Sequence, residues 1–246
     1  MDSTVLTLTS NTTDFTVNLD VPIYLDDNKD YMAAFNSLFT YNSVPNISQR
    51  NNKFRYSTDR GTTFKTVVLP TGAYEVSEIN NEIQRQMILN NDFDSESSSF
   101  YIEISFDKPT AKATVEVKHD NYVVDINCEN SIGYSLGFIE DTLLTKGFHI
   151  SHNIIDIEPV NTILVHCNFI TGSYINNKQS QVIYAFTPTV SPGYKIIETP
   201  RPQLIFYPVA KLPKIQKVRI WLTDQNDKLV DLRGEKITVS ILVKAL

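Results

Sequence analysis

The sequence predicts an all-β protein, a β-sandwich or jelly roll that folds as a single unit and contains one amphipathic helix. Short runs of β-branched and aromatic residues recur along the chain, which has 12 tyrosines and 13 phenylalanines, and these residue types favour strands. Asparagine, aspartate and proline separate the runs, as expected for turns between strands. Only one segment has apolar residues at a convincing helical spacing. Many short strands with one helix are typical of sandwich and jelly-roll proteins.

The helix is predicted to follow a strand at 64–69, which Pro70 ends because proline cannot donate a hydrogen bond to a sheet. Ser77 is the predicted N-cap, and Glu78 lies where the helix dipole favours an acid. One stripe of apolar residues recurs at helical spacing and comprises Val76, Ile79, Ile83 and Met87. We expect this stripe to be buried against a sheet.

The other strands are predicted from alternating or continuous apolar runs. They lie at 4–9, 15–25, 31–41, 53–57, 101–106, 113–117, 122–126, 154–157, 163–169, 182–186, 203–209, 217–223 and 237–244. Pro22, inside the second run, indicates an edge strand or a bulge. Residues 131–138 predict a short helical turn that ends at Gly137. The segments 172–181 and 188–202 are expected to be irregular.

Composition and charge restrict the classes of function. The sequence is 41% hydrophobic and 20% charged, as is ordinary for a soluble globular protein. A net charge of −6 argues against a surface that coats nucleic acid, and the apolar runs are too short to span a membrane. The N-terminus has neither the basic nor the apolar region of a signal peptide.

Two cysteines, Cys128 and Cys167, do not form a disulfide framework. We therefore expect synthesis in a reducing intracellular compartment. In such a compartment the glycosylation sequons at Asn11 and Asn46 would remain unmodified.

No pattern predicts catalysis, a cofactor or a metal site, so we expect this protein not to be an enzyme. His149 and His152 lie close in sequence to Asp156, but their spacing matches no strong zinc pattern. Cys167 follows His166 in a strand, where neighbours point to opposite faces, so it is predicted to be a small core residue and not half of a catalytic dyad. All four histidines are interpreted as surface or loop residues: His119, His149, His152 and His166.

A mild basic run near the C-terminus contains Lys211, Lys214, Lys217 and Arg219. We interpret it as a solvated strand edge that discourages misassembly, with partner contact as the alternative. The tripeptide at 233–235 is interpreted as a turn, because glutamate replaces the aspartate of an integrin-binding tripeptide. Abundant strands and aromatic residues without recognisable chemistry favour a structural or binding role.

Several segments occur in an order that resembles a family of viral proteins. The segments are NNKFR at 51–55, LPTGAY at 69–74, SEINNEI at 77–83, FYIEISFD at 100–107, SIGYSLGF at 131–138, GF at 147–148, LPKIQKVRIWLTD at 212–224 and VKAL at 243–246. Taken together, roughly over 51–148 and 212–246, they resemble adenovirus-type penton base proteins and the minor capsid (penton) proteins of Polinton, adintovirus and virophage-like elements.

This resemblance implies a single jelly-roll domain over 1–246, with two four-stranded antiparallel sheets and the helix in a connection between strands. Adenovirus pentons carry a large insertion in the second half of the chain, for which only about 151–210 is available here. A reduced insertion or long loops are therefore expected in that segment. Because the integrin-binding tripeptide is missing, a role in cell attachment is not carried over. A fibre or receptor stays open as a further partner.

The resemblance also implies an assembly. Five copies would surround an icosahedral vertex and contact double jelly-roll major capsid subunits, in a virion whose proteins are made in the cytoplasm and assembled in the nucleus. Aromatic residues of the second half are the candidates for the contact between subunits: Tyr174, Tyr184, Phe186, Tyr194, Phe206 and Tyr207.

Two alternatives of other types stay open. The same length could hold two compact jelly rolls, as in a major capsid protein. A receptor-binding or carbohydrate-binding β-sandwich is the other alternative, and in it four exposed tyrosines would stack on a ligand: Tyr174, Tyr184, Tyr194 and Tyr207.

Overall fold

The computed structural model describes residues 3–95, 99–140, 143–157 and 160–246. The chain divides into two compact units. Unit 1 combines the two ends of the chain, Met1–Val44 and Val160–Leu246, and unit 2 is the continuous segment Pro45–Pro159.

Eighteen strands and one helix, α1, make up the regular structure of the described residues. In chain order they are β1 (Ser3–Ser10), β2 (Asp14–Tyr24), β3 (Tyr31–Tyr41), β4 (Lys53–Ser57), β5 (Lys65–Val68), α1 (Val76–Leu89), β6 (Ile102–Asp107), β7 (Lys112–Val117), β8 (Val123–Asp125), β9 (Leu143–Leu144), β10 (Gly147–Ile150), β11 (Ile163–Cys167), β12 (Ser173–Ile175), β13 (Lys178–Ser180), β14 (Val182–Phe186), β15 (Lys195–Glu198), β16 (Phe206–Pro208), β17 (Lys214–Thr223) and β18 (Ile237–Ala245).

Unit 1 contains two antiparallel sheets. Sheet A has the order β1-β18-β3-β15, with β16 also paired to β3, and sheet B has the order β14-β11-β17-β2. The first strand therefore pairs with the last, and the second pairs with β17, as in a jelly roll of two four-stranded sheets. The prediction of a jelly-roll β-sandwich is confirmed.

The core of unit 1 is formed by the inward side chains of both sheets, including Leu38 and Ile241 from sheet A and Val165 and Ile220 from sheet B, each fully buried. Alternation along the strands produces this arrangement, since successive side chains point to opposite faces. Pro22 lies in β2, an edge strand of sheet B, in agreement with its prediction.

Unit 2 has a three-stranded sheet, β10-β7-β6, and a four-stranded sheet, β5-β4-β8-β9. It also has its own apolar core, which includes Phe54, Ile102 and Val115. Helix α1 contributes Val76, Ile79, Ile83 and Met87 to this core, and these are the buried residues of the helix.

Helix α1 lies along β6, an edge strand of its sheet. The Oδ1 atom of Asn80 accepts a hydrogen bond from the backbone N–H of Ile104 at 2.8 Å, and Gln84 Nε2 donates to the carbonyl of Ile102 at 3.4 Å. These side chains satisfy backbone groups of β6 that face away from β7.

The prediction of Ser77 as N-cap was wrong. The N-cap is Glu75, whose backbone is extended (φ −82°, ψ 163°), and the helix begins at Val76. The Glu78 carboxylate accepts a hydrogen bond from the Glu75 N–H at 2.8 Å, which is the returning bond of a capping box. The N-cap therefore lies two residues before the predicted one.

Several predicted loops and strands differ from the structure. The segment 172–181 contains the hairpin β12–β13, whose turn has Asn176 at a φ of 53°. The segment 188–202 contains β15, and residues 154–157 do not form a strand. The predicted turn at 131–138 is present, with Gly137 at a φ of 85°.

Strands β11, β14, β15 and β16 fall inside the segment 151–210 and belong to sheets A and B. Unit 2, with its helix, occupies the part of the chain between β3 and β11. The single domain over 1–246 and the reduced insertion or long loops at about 151–210 stay predictions.

Candidate interaction surface

The described residues do not include a group of three or more histidine, cysteine, aspartate or glutamate side chains that could hold a metal ion. His149 and His152 have separate partners: His149 Nε2 lies 2.6 Å from the Thr145 carbonyl, and His152 Nε2 lies 3.4 Å from the Glu140 carboxylate. Within the same residues, no helix is long and apolar enough to cross a membrane.

His166 does not lie at the surface or in a loop, so that part of the histidine prediction was wrong. It is only 4% exposed in β11, its Nε2 lies 2.8 Å from Thr223 Oγ1, and its ring stacks on Trp221 at a centroid distance of 4.7 Å. Burial lowers the pKa of His166; the Asp227 carboxylate opposes this effect and Arg219 adds to it. A strand bulge between Val165 and His166 accompanies this placement.

Cys167 lies in the core of unit 1, as predicted, and is fully buried. Burial raises the pKa of its thiol to about 12, so the thiol stays protonated and unreactive at neutral pH.

The basic residues Lys214, Lys217 and Arg219 lie on β17, where all three are paired with β2. The pairing of β17 with β11 covers only Ile220–Thr223, so the interpretation of the basic run as a solvated strand edge stays a prediction. Arg219 binds both carboxylate oxygens of Asp14 at 2.8 and 2.7 Å, and its guanidinium lies 4.7 Å from the centre of the Trp221 ring. The outer face of sheet B is therefore polar and partly ion-paired.

The structure does not bring the six predicted interface residues together. Tyr174 and Tyr194 are 69% and 68% exposed. Phe186 lies in the core, Tyr184 stacks on Phe35 at 4.2 Å, and Tyr207 packs against the core. Of the six, only Phe186 is buried, and Tyr184, Phe206 and Tyr207 are partly buried. The subunit contact stays a prediction.

Sheet A has a second apolar face, which we call the outer face of sheet A. Its members are the side chains on the strands of sheet A (β1, β18, β3, β15 and β16) that point away from the core of unit 1. The register places Val5 beside Leu242, and Phe39 beside Ile197. Its larger apolar members are Val5, Phe39, Tyr41, Ile197, Phe206 and Leu242, which lie outside the inner core of buried residues. Serine, threonine, alanine, methionine and proline occupy the positions between them.

The outer face of sheet A contains two lysines and no carboxylate among its described residues. Lys244 Nζ lies 3.8 Å from the centre of the Phe206 ring, and Lys195 Nζ lies 5.8 Å from that of Phe39. Neither ammonium group forms an ion pair with a carboxylate in the described ranges. Three members are well exposed, with Val5 at 57%, Ile197 at 59% and Tyr41 at 46%.

Two solved viral structures were compared with this chain. The mavirus penton protein, known from a crystal structure, aligns with 100% of this chain and 99% of its own at a TM-score of 0.50 and 10% sequence identity. A chain from the cryo-EM structure of the Sputnik virophage aligns with 99% of this chain and 98% of its own at 12% identity, but its TM-score of 0.46 is too low to establish a common fold. No protein-family model matches the sequence, and no curated protein matches it either.

The outer face of sheet A was not predicted from the sequence, although the pattern of apolar residues in β3 indicates it. In the segment 31–41, YMAAFNSLFTY, apolar residues occupy consecutive positions instead of alternating. A strand that is apolar on both sides is typical of a sheet that is covered on both faces. This pattern would have identified β3 as the centre of a two-sided surface.

Proposed function

We propose that this protein is a structural capsid protein that forms the pentameric vertex, or penton, of an icosahedral DNA virus or virus-like element. The observation that carries the proposal is the likeness of fold to the mavirus penton protein, which extends over essentially the whole of both chains. The jelly roll formed by sheets A and B of unit 1, and the placement of unit 2 between β3 and β11, are compatible with that role.

The proposal includes the partners and location that the resemblance implied. The chain would bind four further copies of itself and a double jelly-roll major capsid protein, with a fibre or receptor as a further partner. It would reside at the capsid vertex, after synthesis in the cytoplasm and assembly in the nucleus. It would not bind nucleic acid directly, in keeping with its net charge of −6. It would have no enzymatic activity and no cofactor.

Two alternatives have less support. A double jelly roll needs a second eight-stranded sandwich, whereas the described part of unit 2 has a three-stranded sheet, a four-stranded sheet and a helix. A ligand-binding surface of four tyrosines needs all four well exposed, whereas Tyr184 and Tyr207 are partly buried against the core of unit 1.

Native mass spectrometry of the purified full chain tests the proposal. The expected result is a species of five times 28.0 kDa. A stable trimer would favour the major-capsid alternative, and a monomer at every concentration would contradict the vertex role. In a cyclic ring, one surface of each copy binds a different surface of the next copy. A closed pentamer leaves neither surface free, so larger open polymers should be absent.

A further inference from the structure

From these observations we infer that the outer face of sheet A is the surface by which one copy of this chain binds the next. This inference deepens the proposed function, because it rests on self-assembly and assigns that assembly to particular residues. The occupant is a second copy of the chain, and the contact is heterologous: the outer face of sheet A on one copy meets a different surface of its neighbour.

The first argument is the apolar character of the face. A sheet in water normally keeps one face apolar and the other polar. Sheet B follows this rule in its paired centre, with Asp14, Lys217 and Arg219 directed outward, and its exposed Val21 and Tyr24 lie near the end of the edge strand β2. Sheet A does not follow it, because the strand pairs place Val5 beside Leu242 and Ile197 beside Phe39 on its outer side. An exposed apolar face of this kind marks a contact with another molecule.

The second argument is the size of the face. Sheet A is four strand positions wide, because β15 and β16 pair with different parts of β3, and β3 is 11 residues long. The strands at these four positions have 8, 9, 11 and, for β15 and β16 together, 7 residues. At about 4.8 Å between strands and about 3.3 Å per residue, the face covers roughly 550 Å². This is about two thirds of the roughly 800 Å² that each partner contributes to a stable protein–protein interface of standard size.

The third argument is charge. The chain carries a net charge of −6, so two copies repel each other unless the contact surfaces compensate. The outer face of sheet A contains Lys195 and Lys244 without a carboxylate, and neither lysine has a described ion-pair partner. It is therefore complementary to the carboxylates of an acidic neighbour, and a second copy is such a neighbour.

Charge also determines the type of contact. If two outer faces of sheet A met each other, the two lysines of one copy would oppose the same lysines of the other, and like charges in a contact oppose association. The face therefore binds a different surface. A heterologous contact of this kind repeats around a ring, and it closes when the rotation between copies permits it.

Single substitutions that add one negative charge test the inference. Val5→Glu and Ile197→Glu place a carboxylate at opposite edges of the face, on residues that are 57% and 59% exposed in the single chain. The matched control is Val21→Glu, which makes the same change on β2 of sheet B at a valine that is 78% exposed. If Val5→Glu unfolds at a lower denaturant concentration than the wild-type chain, Thr7→Glu is used in its place, because Thr7 is an exposed polar residue of the same strand, β1.

Assembly of each variant is measured by native mass spectrometry and by sedimentation over a series of concentrations. The expected result is that Val5→Glu and Ile197→Glu weaken self-association by at least about tenfold, whereas Val21→Glu leaves it unchanged. Far-UV circular dichroism and the denaturation midpoint of each variant verify that the fold is intact.

The outcomes separate this inference from the proposed function. A pentamer that is insensitive to all three substitutions overturns the inference and leaves the vertex role intact. An oligomer of another size that Val5→Glu dissociates supports the inference and contradicts the pentamer. A wild-type chain that stays monomeric at every concentration contradicts both.

Discussion

Replacing Ile83 by alanine should destabilise unit 2, and replacing Ile88 by alanine should not. Both isoleucines lie in α1, but Ile83 is 1% exposed and packs in the core of unit 2, whereas Ile88 is 44% exposed. A buried isoleucine truncated to alanine loses its transfer free energy and leaves a cavity, at a cost of about 2–5 kcal/mol. The exposed position should change stability by less than about 0.5 kcal/mol.

Circular dichroism and fluorescence can follow the two units separately. The described residues contain one helix, α1 in unit 2, whereas the single tryptophan of the sequence, Trp221, lies in unit 1. Urea denaturation is followed by far-UV circular dichroism for α1 and by Trp221 fluorescence for unit 1. The expected result for Ile83→Ala is a lower midpoint of the circular dichroism transition, at an unchanged slope.

The placement of the helix would be refuted by equal midpoints for Ile83→Ala and Ile88→Ala. The same experiment tests the single-domain prediction. If Ile83→Ala shifts the Trp221 transition together with the helix signal, the two units unfold as one cooperative domain. If only the helix signal shifts, they unfold independently.

Two further predictions concern polar groups in the two units. In the folded chain the pKa of His166 lies below its ordinary value of 6.5. The unfolded chain therefore binds the proton more readily, and unit 1 should lose stability as the pH falls from about 7 to about 5. The denaturation midpoint followed by Trp221 fluorescence should fall over this pH range, and it should fall less in the His166→Gln variant. An unchanged pH dependence of the midpoint in the variant would assign the effect to other groups. In unit 2, the buried Asp92 accepts hydrogen bonds from Tyr56 Oη at 2.6 Å and from Lys65 Nζ at 2.6 Å. Asp92→Asn should lower the free energy of unfolding by about 1–3 kcal/mol, as measured by urea denaturation. The control Asp120→Asn removes an exposed ion pair to Lys146 and should lower it by less than about 1 kcal/mol. Equal losses in the two variants would show that burial of the ion pair does not matter.

Features that depend on local pattern could be predicted from the sequence. The helix stripe, Gly137 in its turn and most strands follow from periodicity, glycine and proline alone. The hairpin β12–β13 could not be predicted in this way, because its strands are short and largely polar and show no alternation of apolar residues.

Features that depend on distant pairing could not be predicted. The division of the chain into units 1 and 2 is decided by which strands join sheets A and B, and strands such as β11 and β6 look alike as local runs of apolar residues. The burial of His166 depends on Trp221 and Thr223, both more than fifty residues away. The outer face of sheet A depends likewise on the register that sets Val5 beside Leu242.

The pairing of the first strand with the last has a consequence for the order of folding during synthesis. Ser3 is paired with Lys244, and β18 lies between β1 and β3 inside sheet A. As the ribosome releases the chain from its N-terminal end, β1 and β3 cannot pair with their shared neighbour until β18, at Ile237–Ala245, has been made. The continuous segment of unit 2 has no such wait and can fold earlier. A ribosome stalled before β18 should therefore display a chain in which unit 2 resists protease and the strands of sheet A are still cleaved.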